Sequence, residues 1–314
     1  MFFIRLLSHA PFWVLYLVSD ILYLLNYHII RYRREVIEKN LSIAFPDMSE
    51  AEKIKTIKGF YKNFGDVMME SVKAISISRE EMMKRVTYSG IEKLVAAKNH
   101  GFSAVYLATH HCNWEWMLLS GTILFPYRVY GVYKPLRNKK FDKLLLRTRS
   151  KFGGILVPAD KIVRNIAMNK NEVRGIGLVA DQRPHISNNK VWLKTCGHDT
   201  AYYTGTEFVP KLENAIVFMS KMVRKKRGYY HIDIIKLAEP PYSMDGNSTE
   251  ILKKYVTELE RMIQENPSDW LWSHDRWKYS KAEDEIHSRE RNELLSKSNK
   301  NEPAFTHSDT KGVH

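Results

Sequence analysis

The stretch "THHCNWEWM" at residues 109–117 brings two histidines, a cysteine and a glutamate together directly after an apolar run. Four chemistries fit those residue types: a proton-moving pair, a metal site, a cysteine nucleophile, or a helix start that is merely polar. On one regular helix His110 and Glu115 would lie about 140° apart, so they meet only if His110 precedes the helix. A strand ending near Thr109 and a helix starting around Asn113, a residue suited to N-capping, would satisfy that condition. Glu115 would then occupy the first turn, where the helix dipole favours a carboxylate. There it could accept a hydrogen bond from one imidazole nitrogen and leave the other as a general base. The competing reading is a capped helix start with two surface histidines. His111 and Glu115 do share a helix face, yet no H-E-x-x-H, second histidine pair or carboxylate cluster supplies the remaining ligands of a metal. Cys112, beside His110 or His111, is a candidate nucleophile, although a buried cysteine acting as a small apolar residue is the commoner case.

The elements that would position these residues follow an α/β pattern. Apolar runs at 102–109, 127–133, 154–159 and 175–181 read as strands, and helix-like stretches such as "NWEWMLLSGTILF" and "KKFDKLLLRTRSKF" separate them. The alternation predicts an α/β fold with a mostly parallel central sheet flanked by helices. Such sheets place ligands at the carboxyl ends of their strands, where His110 falls and where Asp181 of "ADQRP" could share the crevice. A simple turn before Pro184 is the bland alternative for that stretch. "GIGLVA" lies inside a predicted strand and is rejected as a dinucleotide site, and no P-loop is present. Arg147 and Arg149 fall near a helix end, where they could hold an anion or a developing oxyanion or simply be solvated. A two-stranded excursion is expected at 215–237 around "RKKRG", followed by a long helix stopped by Pro267.

With 314 residues, 44% of them apolar, the composition is that of a folded protein, and its net charge of +14 calls for anionic partners. Nucleic acid, lipid headgroups and an acidic protein all qualify on charge alone. Two cysteines without a C-x-x-C pair argue against a disulfide framework or a zinc ribbon. Residues 10–30 are long and apolar enough to span a bilayer. Asp20 at their centre would cost about 2.5–3.5 kcal/mol there, so an interfacial helix and a buried first helix compete. Arg31, Arg33 and Arg34 follow the segment and only Arg5 precedes it, which places the next domain on the cytoplasmic face. The expected division is a membrane anchor or interfacial helix at 1–30, an α/β domain at 31–280, and a charged, disordered tail at 281–314. Late in the chain, "DWLWSHDRWKYS" interleaves Trp270, Trp272 and Trp277 with cations. That pattern suits a membrane interface, a nucleic-acid platform, or plain core packing.

Together these stretches resemble the lipid A biosynthesis acyltransferases of the lauroyl- or myristoyl-transferring type, within the lysophospholipid acyltransferase superfamily. "HHCNWE" is similar to the family's H-x4-D/E block, commonly H-[FY]-G-N-W-E, and "RREVIEKNLSIAFPD" to its entry segment. "VYKPLRN", "RTRSKFG", "ADQ" and "WLWSHDRWK" resemble four further blocks in the family's order, over residues 10–280. H-x4-E alone is weak, whereas six ordered blocks are specific. The resemblance implies that His110 is the base and Glu115 its orienting partner, with Arg147 or Arg149 and Asp181 completing a charged crevice. Asn113, Gln182, Lys134 and Arg276 lie in matched blocks and become further oxyanion or substrate-binding candidates. His111, Cys112 and Lys134 depart from the pattern. The implied reaction moves a fatty acyl group from acyl carrier protein to a hydroxyl of an anionic glycolipid precursor. It would run at the cytoplasmic face of the bacterial inner membrane, without metal or other cofactor and without nucleic acid. Alternatives are an aminolipid or mannolipid acceptor, a thioesterase-like enzyme using Cys112, and a non-catalytic basic module that binds membrane or nucleic acid.

Overall fold

Chain order decides where the crevice of this sheet lies. A computed structural model describes residues 2–243, 245 and 248–300. Five helices come first: α1 (Phe2–Ser8), α2 (Phe12–Leu24, prolonged by a π-helical turn to Ile30), α3 (Arg34–Ala44), α4 (Glu50–Lys73) and α5 (Arg79–Arg85). The chain then alternates through β1 (Val86–Ser89), α6 (Ile91–Asn99), β2 (Ala104–Ala108), α7 (Trp114–Leu124), β3 (Val129–Tyr133), α8 (Lys139–Arg149), β4 (Ile155–Pro158), α9 (Ile162–Met168) and β5 (Gly175–Val179). A separate hairpin, β6 (Lys190–Thr195) and β7 (His198–Tyr203), leads to α10 (Gly205–Glu213). A long hairpin, β8 (Ile216–Lys226) and β9 (Tyr229–Ala238), precedes α11 (Glu250–Glu265) and α12 (Lys281–Lys300).

The seven-stranded sheet has the order β1-β9-β8-β2-β5-β3-β4. Strands β2, β3, β4, β5 and β8 run parallel, β9 is antiparallel to β8, and β1 is parallel to β9. All five residues of β2 are buried, as a strand covered on both faces requires. Its alternate side chains feed two cores: Val105 and Leu107 pack with α3, α4 and α11, whereas Ala104, Tyr106 and Ala108 pack toward α5, α6 and α7.

The four strands read from the sequence are present, each trimmed by a few residues. The segment expected as an excursion at 215–237 is instead part of the main sheet, because Ile216–Met222 are buried and β8 pairs in parallel with β2. Strand β1 and the β6/β7 hairpin were not anticipated. The tail is not disordered where it is described: α12 runs to Lys300, and its buried Asp284 pairs with Lys190 and accepts from Trp192 Nε1 at 3.1 Å. Residues 301–314 lie outside the described residues.

Helix α2 packs along α4 in the opposite direction. Ser19 Oγ donates to Asp66 at 2.7 Å, and Tyr16 Oη donates to Glu70 at 3.0 Å. Asp20, the residue that disturbs the apolar segment, is paired with Arg227 at 2.7 Å, and the same guanidinium reaches Asp66 at 2.6 Å. "RKKR" is the hairpin tip expected from its sequence, yet half of it is internal. Arg224 binds Asp269 at 3.0 Å, so only Lys225 and Lys226 of the four are fully exposed cations.

Candidate active site

Register places the central pair. Ala108 of β2 lies opposite Val179 of β5, so the second residue past each strand end, His110 and Asp181, emerge side by side. Asp181 accepts from His110 twice: Oδ2 takes the backbone N–H at 2.9 Å, and Oδ1 takes ring Nδ1 at 2.6 Å. Trp270 Nε1 donates to Oδ2 at 2.8 Å. Burial opposes ionisation of Asp181, but its electrostatic interaction with His110 and these hydrogen bonds outweigh it and hold the carboxyl well below its ordinary range. A carboxylate can only accept, so Nδ1 carries a proton and Nε2 is the ring nitrogen left to accept one. Gln182 Nε2 lies 3.2 Å from that nitrogen, as a donor would, and the Trp114 ring lies edge-on to the imidazole at 5.0 Å.

Glu115 does not orient His110. The helix does begin as expected, with Asn113 Oδ1 accepting from Trp116 N at 2.9 Å and Glu115 in the first turn. From there Glu115 forms a fork with Arg149, whose Nε and Nη2 donate to its two oxygens at 2.8 and 2.6 Å. The imidazole's partner comes from the neighbouring strand, where register brings a carboxylate closer than a helix turn can. Of the two arginines Arg149 is the one paired with Glu115, and Arg147 is exposed, as is Lys134.

The remaining members of the opening stretch turn inward. Cys112 has a left-handed φ of 52°, which accounts for a family pattern with glycine at that position. Its N–H donates to Asp269 O at 3.0 Å, its sulfur contacts Met222 O at 3.6 Å, and burial pushes its thiol well above the ordinary value. That environment suits a small apolar residue rather than a nucleophile. His111 is buried and bridges to the backbone of Trp270. Burial lowers its pKa, against the opposing pull of Asp269, Asp181 and the Asn266 and Met262 backbone. It shares no site with Glu115. Asn113 is fully buried with its amide engaged on both sides, Nδ2 donating to Glu70 at 2.7 Å.

Other sequence candidates support the site from beneath. Arg276 is buried, donates from Nη1 to Ala201 O at 2.7 Å, and lies over the Tyr202 ring at 4.5 Å. Trp270 and Trp272 are buried too, so core packing wins over a membrane or nucleic-acid platform for both. His274 accepts from Arg183 N at 2.9 Å, and burial, with Arg276 nearby, lowers its pKa to about 4. It is therefore a neutral acceptor.

Two supporting residues, Asn40 and Glu70, were not singled out from the sequence, and a third, Trp270, was read there without a role toward Asp181. Asn40 Nδ2 donates to Trp272 O and His274 O, each at 2.8 Å, joining the entry block to the late tryptophan block. Trp270 fixes Asp181, as above. Glu70 gathers Asn113, Tyr16 and Tyr230 around one carboxyl that burial raises against the opposing pull of Arg224. The entry and tryptophan blocks marked two of the three segments, but nothing in spacing joins residues some 230 positions apart.

A strand-end histidine whose Nδ1 is held by a buried carboxylate is an arrangement that can take a proton from a hydroxyl. The chain matches the family model described as bacterial lipid A biosynthesis acyltransferase over residues 1–279. It is 22% identical over 277 residues to a lipid A biosynthesis acyltransferase of Haemophilus influenzae, covering 86% of this chain and 84% of that protein. Against Escherichia coli it is 24% identical to the lipid A biosynthesis lauroyltransferase, over 87% of this chain and 88% of the relative. It is also 21% identical to the palmitoleoyltransferase of that bacterium, over 78% and 79%. With the family model covering nearly the whole chain, the protein belongs to the bacterial lipid A biosynthesis acyltransferases, a family of acyl-transferring enzymes.

Proposed function

We propose that this enzyme moves a fatty acyl group from an acyl carrier protein thioester to a hydroxyl of a lipid A precursor, with His110 as general base. The observation that carries the reading is the Asp181 grip on Nδ1, which leaves His110 Nε2 as the proton acceptor. The acceptor hydroxyl displaces Gln182 from Nε2, gives up its proton there, and its oxygen attacks the thioester carbonyl. Collapse of the tetrahedral oxyanion breaks the carbon–sulfur bond, and the departing thiolate takes the proton back from His110. Arg149, held by Glu115, supplies positive charge toward the oxyanion or the acceptor's phosphate. The net charge of +14 suits an acidic carrier protein and an anionic lipid. Attachment through the apolar N-terminal helix at the cytoplasmic face of the inner membrane fits the compartment of the donor and the cations Arg31, Arg33 and Arg34 behind that helix, which an anionic leaflet attracts.

Purified enzyme given acyl carrier protein loaded with a fatty acid, and lipid A precursor, is expected to acylate the lipid. His110→Ala is expected to lower that transfer by about 10²–10⁴-fold. Undiminished transfer by a folded His110→Ala protein would overturn the assignment of the base.

A further inference from the structure

Helix α2 and its π-helical extension form a 19-residue segment, Phe12–Ile30, that passes for a membrane span by length and composition. Its contacts argue for a different posture. From end to end one side of it is held by the globular body. Lys73 Nζ donates to Ala10 O at 2.9 Å at the start, and Tyr16, Ser19 and Asp20 are bonded to Glu70, Asp66 and Arg227 in the middle. Tyr27 meets the Tyr61 ring at 5.8 Å near the end. Close approach is built in: a side-chain carbon at Gly65 of α4 would lie 3.0 Å from Ser19 Oγ.

The segment is about 28 Å long. Carrying it across a bilayer in this docked state would draw the Asp66–Arg227 salt bridge, and the Lys225/Lys226 hairpin tip, into hydrocarbon with it. The side turned away from α4 is different. Trp13, Leu17, Ile21 and Leu24, spaced four, four and three residues apart, are each half or more exposed, and Phe2, Phe3 and Leu6 of α1 extend the apolar surface. Cations lie around this stripe: Arg5 before it, Arg31 and Arg33 after it, and Lys58 and Lys62 on the neighbouring α4 are all exposed.

We infer that α1 and α2 lie flat in the membrane interface, seating this stripe among the acyl chains while the rim of lysines and arginines meets anionic headgroups. An apolar stripe bordered by Lys and Arg is the form of an interfacial helix, and the cationic rim matches lipid phosphate rather than a second copy of this basic chain. The inference rests on the membrane-associated reading proposed above and fixes its geometry, monotopic rather than spanning.

Full-length protein carrying single nitroxide-labelled cysteines at Phe3, Trp13, Ile21 or Ile30, in a Cys196→Ala background, tests it on phosphatidylglycerol-containing vesicles. All four labels are expected at one shallow depth, about 5–10 Å below the headgroups. A label at Ile21 near the midplane, about 15 Å deep, with Phe3 and Ile30 at opposite surfaces, would overturn the flat posture and leave membrane association standing. Cosedimentation separates the two readings. Wild-type protein is expected to bind anionic vesicles, less so at high salt, and Leu17→Glu with Ile21→Glu to lower the bound-to-free ratio roughly ten-fold or more, with circular dichroism unchanged. No vesicle binding by the wild type would overturn both readings. A stripe that instead holds a dimer, seen as a wild-type dimer that the same substitutions disperse without any change in vesicle binding, would overturn the flat posture alone.

Discussion

Asp181 holds His110 at two points, the backbone N–H at 2.9 Å and ring Nδ1 at 2.6 Å, so the position and the tautomer of the imidazole are set by one side chain. That carboxylate is itself anchored by Trp270 and buried, and nothing in it needs to move for Nε2 to accept a proton.

Asp181→Asn tests the grip. An amide nitrogen placed toward Nδ1 donates instead of accepting, which shifts the ring proton to Nε2 and removes the base. The expected loss is about 10³–10⁴-fold in kcat with KM little changed, measured by transfer from acyl carrier protein. Stability follows the depressed carboxyl pKa. The folded value lies below the unfolded one, so the carboxylate's contribution, about 1–3 kcal/mol, is complete above about pH 4 and is lost as pH falls through the folded value. Denaturant titrations of wild type and variant are expected to differ most at neutral pH and to converge under acid. A gap that stays constant with pH would show that the ionised carboxylate is not its source.

The fork between Glu115 and Arg149 predicts a different signature. Lysine cannot present two parallel N–H groups, so Arg149→Lys is expected to lower kcat/KM by about 10–100-fold despite keeping the charge. Glu115→Ala and Arg149→Ala together are expected to cost little more than either alone, because each leaves the other without its partner. Glu115→Gln is expected to leave the acidic limb of the kcat/KM profile where it is, since Asp181 and not Glu115 touches the imidazole. A shift of that limb in Glu115→Gln would place Glu115 on His110 during turnover and overturn the division of roles.

The sheet was legible because buried parallel strands leave continuous apolar runs, and two of the four runs ended at His110 and Asp181. Capping logic at Asn113 placed His110 ahead of the helix, and the same logic led to Glu115 as its partner. That step failed for a physical reason: hydrogen bonding across adjacent strand ends depends on the order β2-β5, which puts residue 181 beside residue 110, and local sequence carries no trace of strand order. The same limit applies to Arg224 and Arg227. A basic run at a hairpin tip looks solvated until the fold brings Asp269, Asp66 and Asp20 against it. Trp270 and Trp272 stayed ambiguous in sequence, since alternation with cations suits an interface and core packing alike, and only their burial decides for the core.

Cys112 offers a test in which backbone and side chain oppose each other. Its φ of 52° costs a residue with a Cβ about 1 kcal/mol, which glycine does not incur. Its sulfur, buried to 2% exposure, contributes about 1 kcal/mol in the other direction. Cys112→Gly is therefore expected to change stability by less than about 1 kcal/mol, whereas Cys112→Ala keeps the strained φ, loses the sulfur, and should be the less stable of the two by about 1 kcal/mol. Both are expected to retain turnover within about two-fold, because a thiol whose pKa is raised by burial takes no part in acyl transfer. Denaturant midpoints and initial rates of transfer measure the two effects separately. A folded Cys112→Gly protein without activity, together with an acyl thioester trapped on Cys112 in the wild type, would reinstate the cysteine as nucleophile and displace His110 to the role of its base.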